Sequence, residues 1–237
     1  MDSNIEEYNS SNPFGLETDS DFHATRRNTT LSIIRDHILS NKSPRILDVG
    51  CGKGLITSLI GQHHQNAVID AIDISSKAID HAKTLSSAIN YAVNDAIVFN
   101  GYGNKYDIIV MNNIYEHIEN PAGVLINLKR FLAHDGIFII STPNRYNTRN
   151  VLKKLFGLRI SIPKYHITEY SIGQLYDHHV YAGLKIKQII IPKFKREKFK
   201  LSVFVIFKII EPILNIYFSL LKSKTRTGSL LFVISGY

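Results

Sequence analysis

Short apolar runs alternate with segments whose apolar residues recur every three or four positions. RILDVG, NAVIDAID, INYAV, YDIIVMNN and GIFIISTP read as strands. Between them, LITSLIGQHH, SSKAIDHAKTL and residues 121–133 read as helices, with Ser75 or Ser76 as N-cap and Gly136 opening the fifth strand. A helix over about 24–39, carrying Leu31, Ile34 and Ile38 at helical spacing, precedes the first strand. After residue 145 the pattern changes. A lid-like segment, 145–170, leads to helix SIGQLYDHHVYAG, strand LKIKQIII, a long apolar helix and a last strand, SLLFVISGY.

Strand-helix alternation predicts an α/β, Rossmann-like doubly wound sheet with helices on both faces. The sheet should be mostly parallel, with an antiparallel last strand. Ligands of such sheets bind beyond the carboxyl ends of the strands, at the switch point. The predicted organisation is a mobile arm over 1–23 and a single domain over 24–237, with an inserted amphipathic helix at about 201–222.

The first strand runs into ILDVGCGKG (46–54), so the expected ligand lies at a glycine loop. A phosphate-binding GxxxxGK[ST] loop fails here at two positions, Leu47 and Gly54. A dinucleotide GxGxxG loop fails at Leu55. Asp48 bears on the choice, because a carboxylate beside a pyrophosphate cradle repels it and favours a ligand with positive charge. S-adenosylmethionine (SAM) carries an amino group and a sulfonium, and no phosphate.

ILDVGCGKG resembles the D-x-G-x-G-x-G motif of class I SAM-dependent methyltransferases. The resemblance implies that Gly50, Cys51, Gly52 and Gly54 pass their backbone along the cofactor, with Asp48 near its amino end. It places Asp73, ending AIDIS, on the ribose hydroxyls and Ile74 on one adenine face. It sets Asp95 and Ala96, in NDAIVF, at the adenine amino group, and Asn112 beside the cofactor. The stretches YDIIVMNNIYEHIENP, STPNRY and KYHITEYSIGQLYDHHVYAG resemble the subgroup holding ubiquinone-pathway O-methyltransferases and bacterial small-molecule and glycan methyltransferases. Lys53 departs from the family's more frequent threonine, serine or acid.

A hydroxyl acceptor must lose a proton, which invites a general base near neutral pH. His117 and His166 are the catalytic candidates, because both fall in segments expected at the carboxyl edge of the sheet. Glu116 reads as a residue that orients a neighbour. His63-His64 and His178-His179 read as surface or helix-end pairs. No HxxxH or CxxC spacing occurs, and no metal is predicted.

Charge adds a partner question. The net charge is +8, but residues 151–237 hold 15 Lys/Arg against 4 Asp/Glu, which leaves 13 and 16 of the chain's 28 and 20 for residues 1–150. KFKREKFK is followed by LSVFVIFKIIEPILNIYFSLLKSK, with polar positions 208, 211, 212, 215, 219 and 222 on one helical stripe. Lys208, Glu211, Pro212 and Asn215 make spanning a bilayer costly. Segment 193–226 therefore reads either as an interfacial helix on an anionic membrane surface or as a lid or homodimer helix. The acidic, polar start and the lone Cys51 suit a cytoplasmic protein, peripheral at the membrane on the first reading. The acceptor is expected to be a small molecule or a lipid- or glycan-linked intermediate. An RNA substrate is disfavoured, because the lysines flank an apolar helix rather than interleaving with stacking aromatics, and NNIY lacks the prolines of an N/D-P-P-Y motif. A non-catalytic protein on the same fold is the third class.

Overall fold

The computed structural model describes residues 21–38, 43–192, 213, 216 and 230–237. The arm before Asp21 and almost all of segment 193–226 lie outside the described residues, so the membrane and dimer readings are left where the sequence put them. No helix among the described residues is long and apolar enough to cross a membrane.

The elements run α1 (Asp21–Ile38), β1 (Arg45–Val49), α2 (Leu55–His63), β2 (Val68–Asp73), α3 (Ser76–Leu85), β3 (Asn90–Val93), β4 (Tyr106–Asn112), α4 (Pro121–Lys129), β5 (Leu132–Pro143), α5 (Thr148–Leu155), α6 (Ile172–Tyr181), β6 (Lys185–Ile190) and β7 (Leu230–Gly236). Seven strands form one sheet in the order β3-β2-β1-β4-β5-β7-β6. The first five are parallel, while β7 lies antiparallel between β5 and β6. The order reverses between β1 and β4, and that switch point is where the glycine loop emerges.

Strand alternation sorts the core onto two faces. Leu47, Val49, Ile109, Met111, Phe138 and Ile140 pack with Val124, Leu125 and Leu128 of α4 and Leu175 of α6. Ile46, Ile108, Val110, Ile137 and Ile139 pack with Ile33 and Ile34 of α1, Ile60 of α2 and Ile79 of α3. Strand β7 is buried along its whole length, because it is an inner strand covered on both faces.

Local chemistry sets several ends. Ser75, not Ser76, caps α3, its Oγ accepting from Ala78 N at 3.2 Å. Ser171 and Gln174 close a capping box on α6. Three boundaries differ from expectation. The first helix already includes Asp21, ahead of the expected start at about residue 24. Helix α4 stops at Lys129 instead of reaching residue 133, and β5 opens at Leu132 instead of Gly136. The apolar spacing continues through Phe131 and Leu132, but Leu132 pairs with Tyr106 in the sheet. The register then shifts before Ile108 meets Ile137, leaving His134 and Asp135 exposed. The expected lid segment contains a helix, α5, and returns to the sheet edge through a bridge between Asn144 and Tyr170.

Candidate active site

The loop after β1 is held in left-handed backbone geometry at Gly50 (φ +71°) and Gly52 (φ +54°). The amides of Gly50 and Cys51 both donate to Ile72 O, at 2.8 and 3.1 Å, which folds the loop over the end of β2. Gly52 N donates to Asp73 Oδ2 and Ser75 N to Asp73 Oδ1, each at 2.8 Å. Asp73 thus ties the loop to α3. Burial pushes its carboxyl above the usual range, against the backbone bonds that favour the charged form. Beside Gly52 a Cβ would meet nothing within 4 Å, so the loop borders open space. Ile74, next along the chain, is 41% exposed.

Asp48 is buried at the end of β1. Its Oδ2 accepts from Thr57 Oγ1 at 2.6 Å, and its Oδ1 has no partner. Burial raises its carboxyl to about 6, opposed by the Thr57 hydrogen bond and the Arg26 charge and reinforced by Asp73. A half-paired buried carboxylate is costly alone and is relieved by a ligand cation. Burial, and secondarily the Asp48 charge, pushes the Cys51 thiol far upward, so Cys51 is no thiolate nucleophile.

Asn112 ends β4 with Oδ1 at 3.1 Å from Thr30 Oγ1 and 3.0 Å from Ser141 Oγ, while its buried Nδ2 has no partner. Asp95 Oδ1 accepts from Ile97 N at 2.9 Å, a local turn after β3. The carbonyl of Ala96 is taken by Asn127 Nδ2 of α4 at 3.0 Å, so that oxygen is committed to the fold.

Residues 23–188 match a protein family described as a methyltransferase domain. The chain belongs to the class I SAM-dependent methyltransferases. It is 31% identical over 185 residues to a ubiquinone biosynthesis O-methyltransferase of Rickettsia canadensis, covering 71% of this chain and 75% of that one. It is also 31% identical to the Coxiella burnetii protein of the same name, over 44% of this chain and 45% of that protein's length, so the match spans less than half of that relative. Magnesium protoporphyrin IX methyltransferase from Synechocystis PCC 6803 with bound SAH superposes with a TM-score of 0.67 at 15% identity, covering 98% of this chain and 96% of that one. The plantazolicin methyltransferase BpumL in complex with SAH gives 0.63 at 20%, covering 98% and 93%. At these identities the two structures speak to the fold.

The methyltransferase uses SAM, and the residues present fit it. The unpartnered oxygen of Asp48 suits the amino group, and the open side of Gly52 admits a ligand against the backbone.

A second group of residues gathers near the carboxyl end of β4. The single-turn helix Tyr115–His117 carries Glu116, which is fully buried. Glu116 Oε2 accepts from Thr142 Oγ1 at 3.2 Å, and Oε1 has no partner. Burial lifts its carboxyl to about 7, with His166 and Arg26 opposing. His117 Nδ1 donates to Tyr165 O at 2.8 Å, and its ring meets that of His166 edge-on at a centroid distance of 5.0 Å. Burial lowers the His117 pKa, keeping the ring neutral. His166 Nδ1 lies 3.4 Å from Glu169 Oε1. The backbone carbonyl of Glu116 accepts from Ile167 N and Thr168 N, which fixes the lid-like segment to this turn.

Both candidate histidines therefore come together, and Glu116 joins them. The pair 178–179 lies in the last turn of α6, at a helix end as expected, but it is turned inward rather than lying at the surface. His179 is fully buried with Nδ1 at 2.6 Å from Leu175 O, and His178 Nδ1 is 3.0 Å from Tyr115 OH. Helix α6 is packed against α4 along this face, which the sequence pattern left open. Sequence reasoning also missed Arg26, Thr30, Thr57 and Thr142. Thr57 alone carried a signal, as a hydroxyl on the apolar face of LITSLIGQH.

Proposed function

We propose that this methyltransferase places its methyl group on a hydroxyl oxygen of a small-molecule, glycan or lipid-linked acceptor. The observation that carries the reading is the neutral His117 ring, pinned through Nδ1 to Tyr165 O beside the buried Glu116. Pinning Nδ1 as donor leaves Nε2 with its lone pair. A neutral amine or thiolate acceptor would not need a basic group, whereas a hydroxyl does. The Rickettsia relative's name, an O-methyltransferase, supports the same class. The basic, apolar segment 193–226 supports a lipid-linked member of it.

When bound, SAM supplies a methyl group on a sulfonium that leaves as a neutral thioether. We assign the amino end to Asp48 Oδ1, the ribose to Asp73, one adenine face to Ile74 and the adenine amino group to Asp95. Gly50, Cys51, Gly52 and Gly54 present backbone, and Asn112, whose buried Nδ2 has no partner, is assigned a place beside the cofactor. The cluster of Glu116, His117 and His166 holds the acceptor hydroxyl and removes its proton as the oxygen attacks. Alignment supplies most of the acceleration, and the proton acceptor contributes about 10²–10⁴-fold.

The test is transfer of an isotope-labelled methyl from SAM into cell-extract fractions, with NMR of the purified product. An O–CH₃ signal supports the reading, and an N–CH₃ or C–CH₃ signal overturns it. The H117Q variant should lose kcat while keeping its affinity for SAH.

A further inference from the structure

We infer that His178 of α6 is a positioning residue for the acceptor cluster, acting through the Tyr115 hydroxyl. Its part in the reaction rests on the reading that Glu116, His117 and His166 deprotonate the acceptor. The single turn Tyr115–His117 has little to hold it by itself. It is three residues long, too short to be stable alone. It leaves β4 through Asn113, whose φ of +50° lies in the left-handed region. Where Glu116 and His117 point therefore depends on how residue 115 is seated.

Tyr115 is fully buried, and its OH lies 3.0 Å from His178 Nδ1. A buried phenol needs an acceptor for its proton. Burial pushes the Tyr115 phenol far upward and the His178 ring downward, so both are neutral at pH 7. The Tyr115 O–H then donates to Nδ1, and His178 carries its own proton on Nε2. With the proton on Nδ1 instead, the phenol would lose its acceptor. Tyr170 meets both rings edge-on, with centroids 5.1 Å from Tyr115 and 5.3 Å from His178. Burial, and secondarily the Glu116 charge, pushes the Tyr170 phenol upward, so the carboxylate is within electrostatic reach of this aromatic group.

Helix α6 is a fixed reference for the turn. Ser171 and Gln174 close its capping box. Just past its other end, Lys129 Nζ donates to Ala182 O at 3.2 Å and to Gly183 O at 2.7 Å. Leu175 and His179 are fully buried between these two anchors. The Tyr115–His178 bond carries the position of α6 to the turn. Breaking it removes no atom of Glu116, His117 or His166, so its effect on rate reports their placement. A misplacement of about 1 Å costs up to about 100-fold in rate.

The experiment uses the full chain with isotope-labelled histidine, and nitrogen NMR follows the rings of His117, His166 and His178. Labelled-methyl transfer is measured at saturating SAM on the extract fraction that takes up the methyl. His178 should show the neutral tautomer with its proton on Nε2. H178L removes the acceptor. It should move the His117 and His166 signals and slow transfer by about 10–100-fold, with SAH affinity unchanged. H178N sets a side-chain oxygen near the place of Nδ1 and should recover most of the rate. Y115F removes the donor, so Y115F, H178L and the double variant should slow transfer by one common factor, because all three break the same bond. The double variant leaves no orphaned phenol and keeps the test open should H178L fail to fold. A proton on His178 Nδ1, an H178N as slow as H178L, or losses that multiply in the double variant overturns the inference. O-methyl product formed by H178L at the wild-type rate removes the inference and keeps the hydroxyl reading. N-methyl product does the reverse, if H178L still moves the His117 and His166 signals and H178N restores them.

Discussion

Thr57 donates its hydroxyl to Asp48 at 2.6 Å and leaves the other carboxylate oxygen, Oδ1, without a partner. One oxygen is thus committed to the fold and the other is available to a ligand cation. Hydrogen bonds to a charged group contribute about 1.5–3 kcal/mol. In T57V the Asp48 pKa should rise further, since this bond favours the charged form. SAM affinity at pH 7 should fall roughly 10–100-fold, with partial recovery at higher pH, as measured by calorimetry. Unchanged affinity would detach Asp48 from the cofactor.

Binding should also depend on pH in wild type. The Asp48 carboxyl titrates at about 6 because burial disfavours its charge. A cationic amino group prefers the ionised form, so affinity should be level near pH 7 and fall as pH drops below 6, approaching about tenfold per unit. Calorimetry in buffers of different ionisation enthalpy should show proton release on binding near pH 6. A flat profile down to pH 5 would count against this placement.

Glu116 makes a stability prediction with a definite sign. Its carboxyl sits at about 7 in the fold against 4.5 when unperturbed. The folded state therefore binds this proton more tightly, and the group's contribution to stability declines as pH rises from about 4.5 through 7. By pH 8 the loss is roughly 3 kcal/mol. E116Q should melt higher than wild type at pH 8 and similarly at pH 5, which thermal melts at the two pH values check.

The loop glycines separate folding from binding. Alanine at Gly50 would put Cβ 2.4 Å from Ile114 Cδ1 on top of φ +71°, so G50A should lose much of its stability. At Gly52 nothing lies within 4 Å, and only the φ of +54° resists, at about 1–2 kcal/mol. G52A should fold and still lose SAH affinity, because its methyl occupies the space where the ligand meets the backbone. Melts with and without SAH distinguish the two variants.

The five parallel strands and their helices were readable because their signals are local. Apolar runs buried on both faces, caps such as Ser75, and the ILDVGCGKG loop are fixed by neighbours within a few residues. The end of α4 was not readable, because helical spacing persists to Leu132 and only sheet pairing with Tyr106 ends it. Antiparallel insertion of β7 followed from the expected architecture, while its full burial followed from its inner place in the sheet.

By itself the sequence determined the doubly wound sheet, the glycine loop with its acidic neighbour, and hence the family. Tertiary structure decided which side chains share a site. Thr30 meets Asn112, Thr57 meets Asp48, and His117 meets His166 beside Glu116. These meetings join positions far apart in sequence, so they depend on how helices and loops settle over the sheet edge. No periodicity or spacing along the chain encodes that contact, because the hydrogen bonds and burial that create it exist only once both segments are packed.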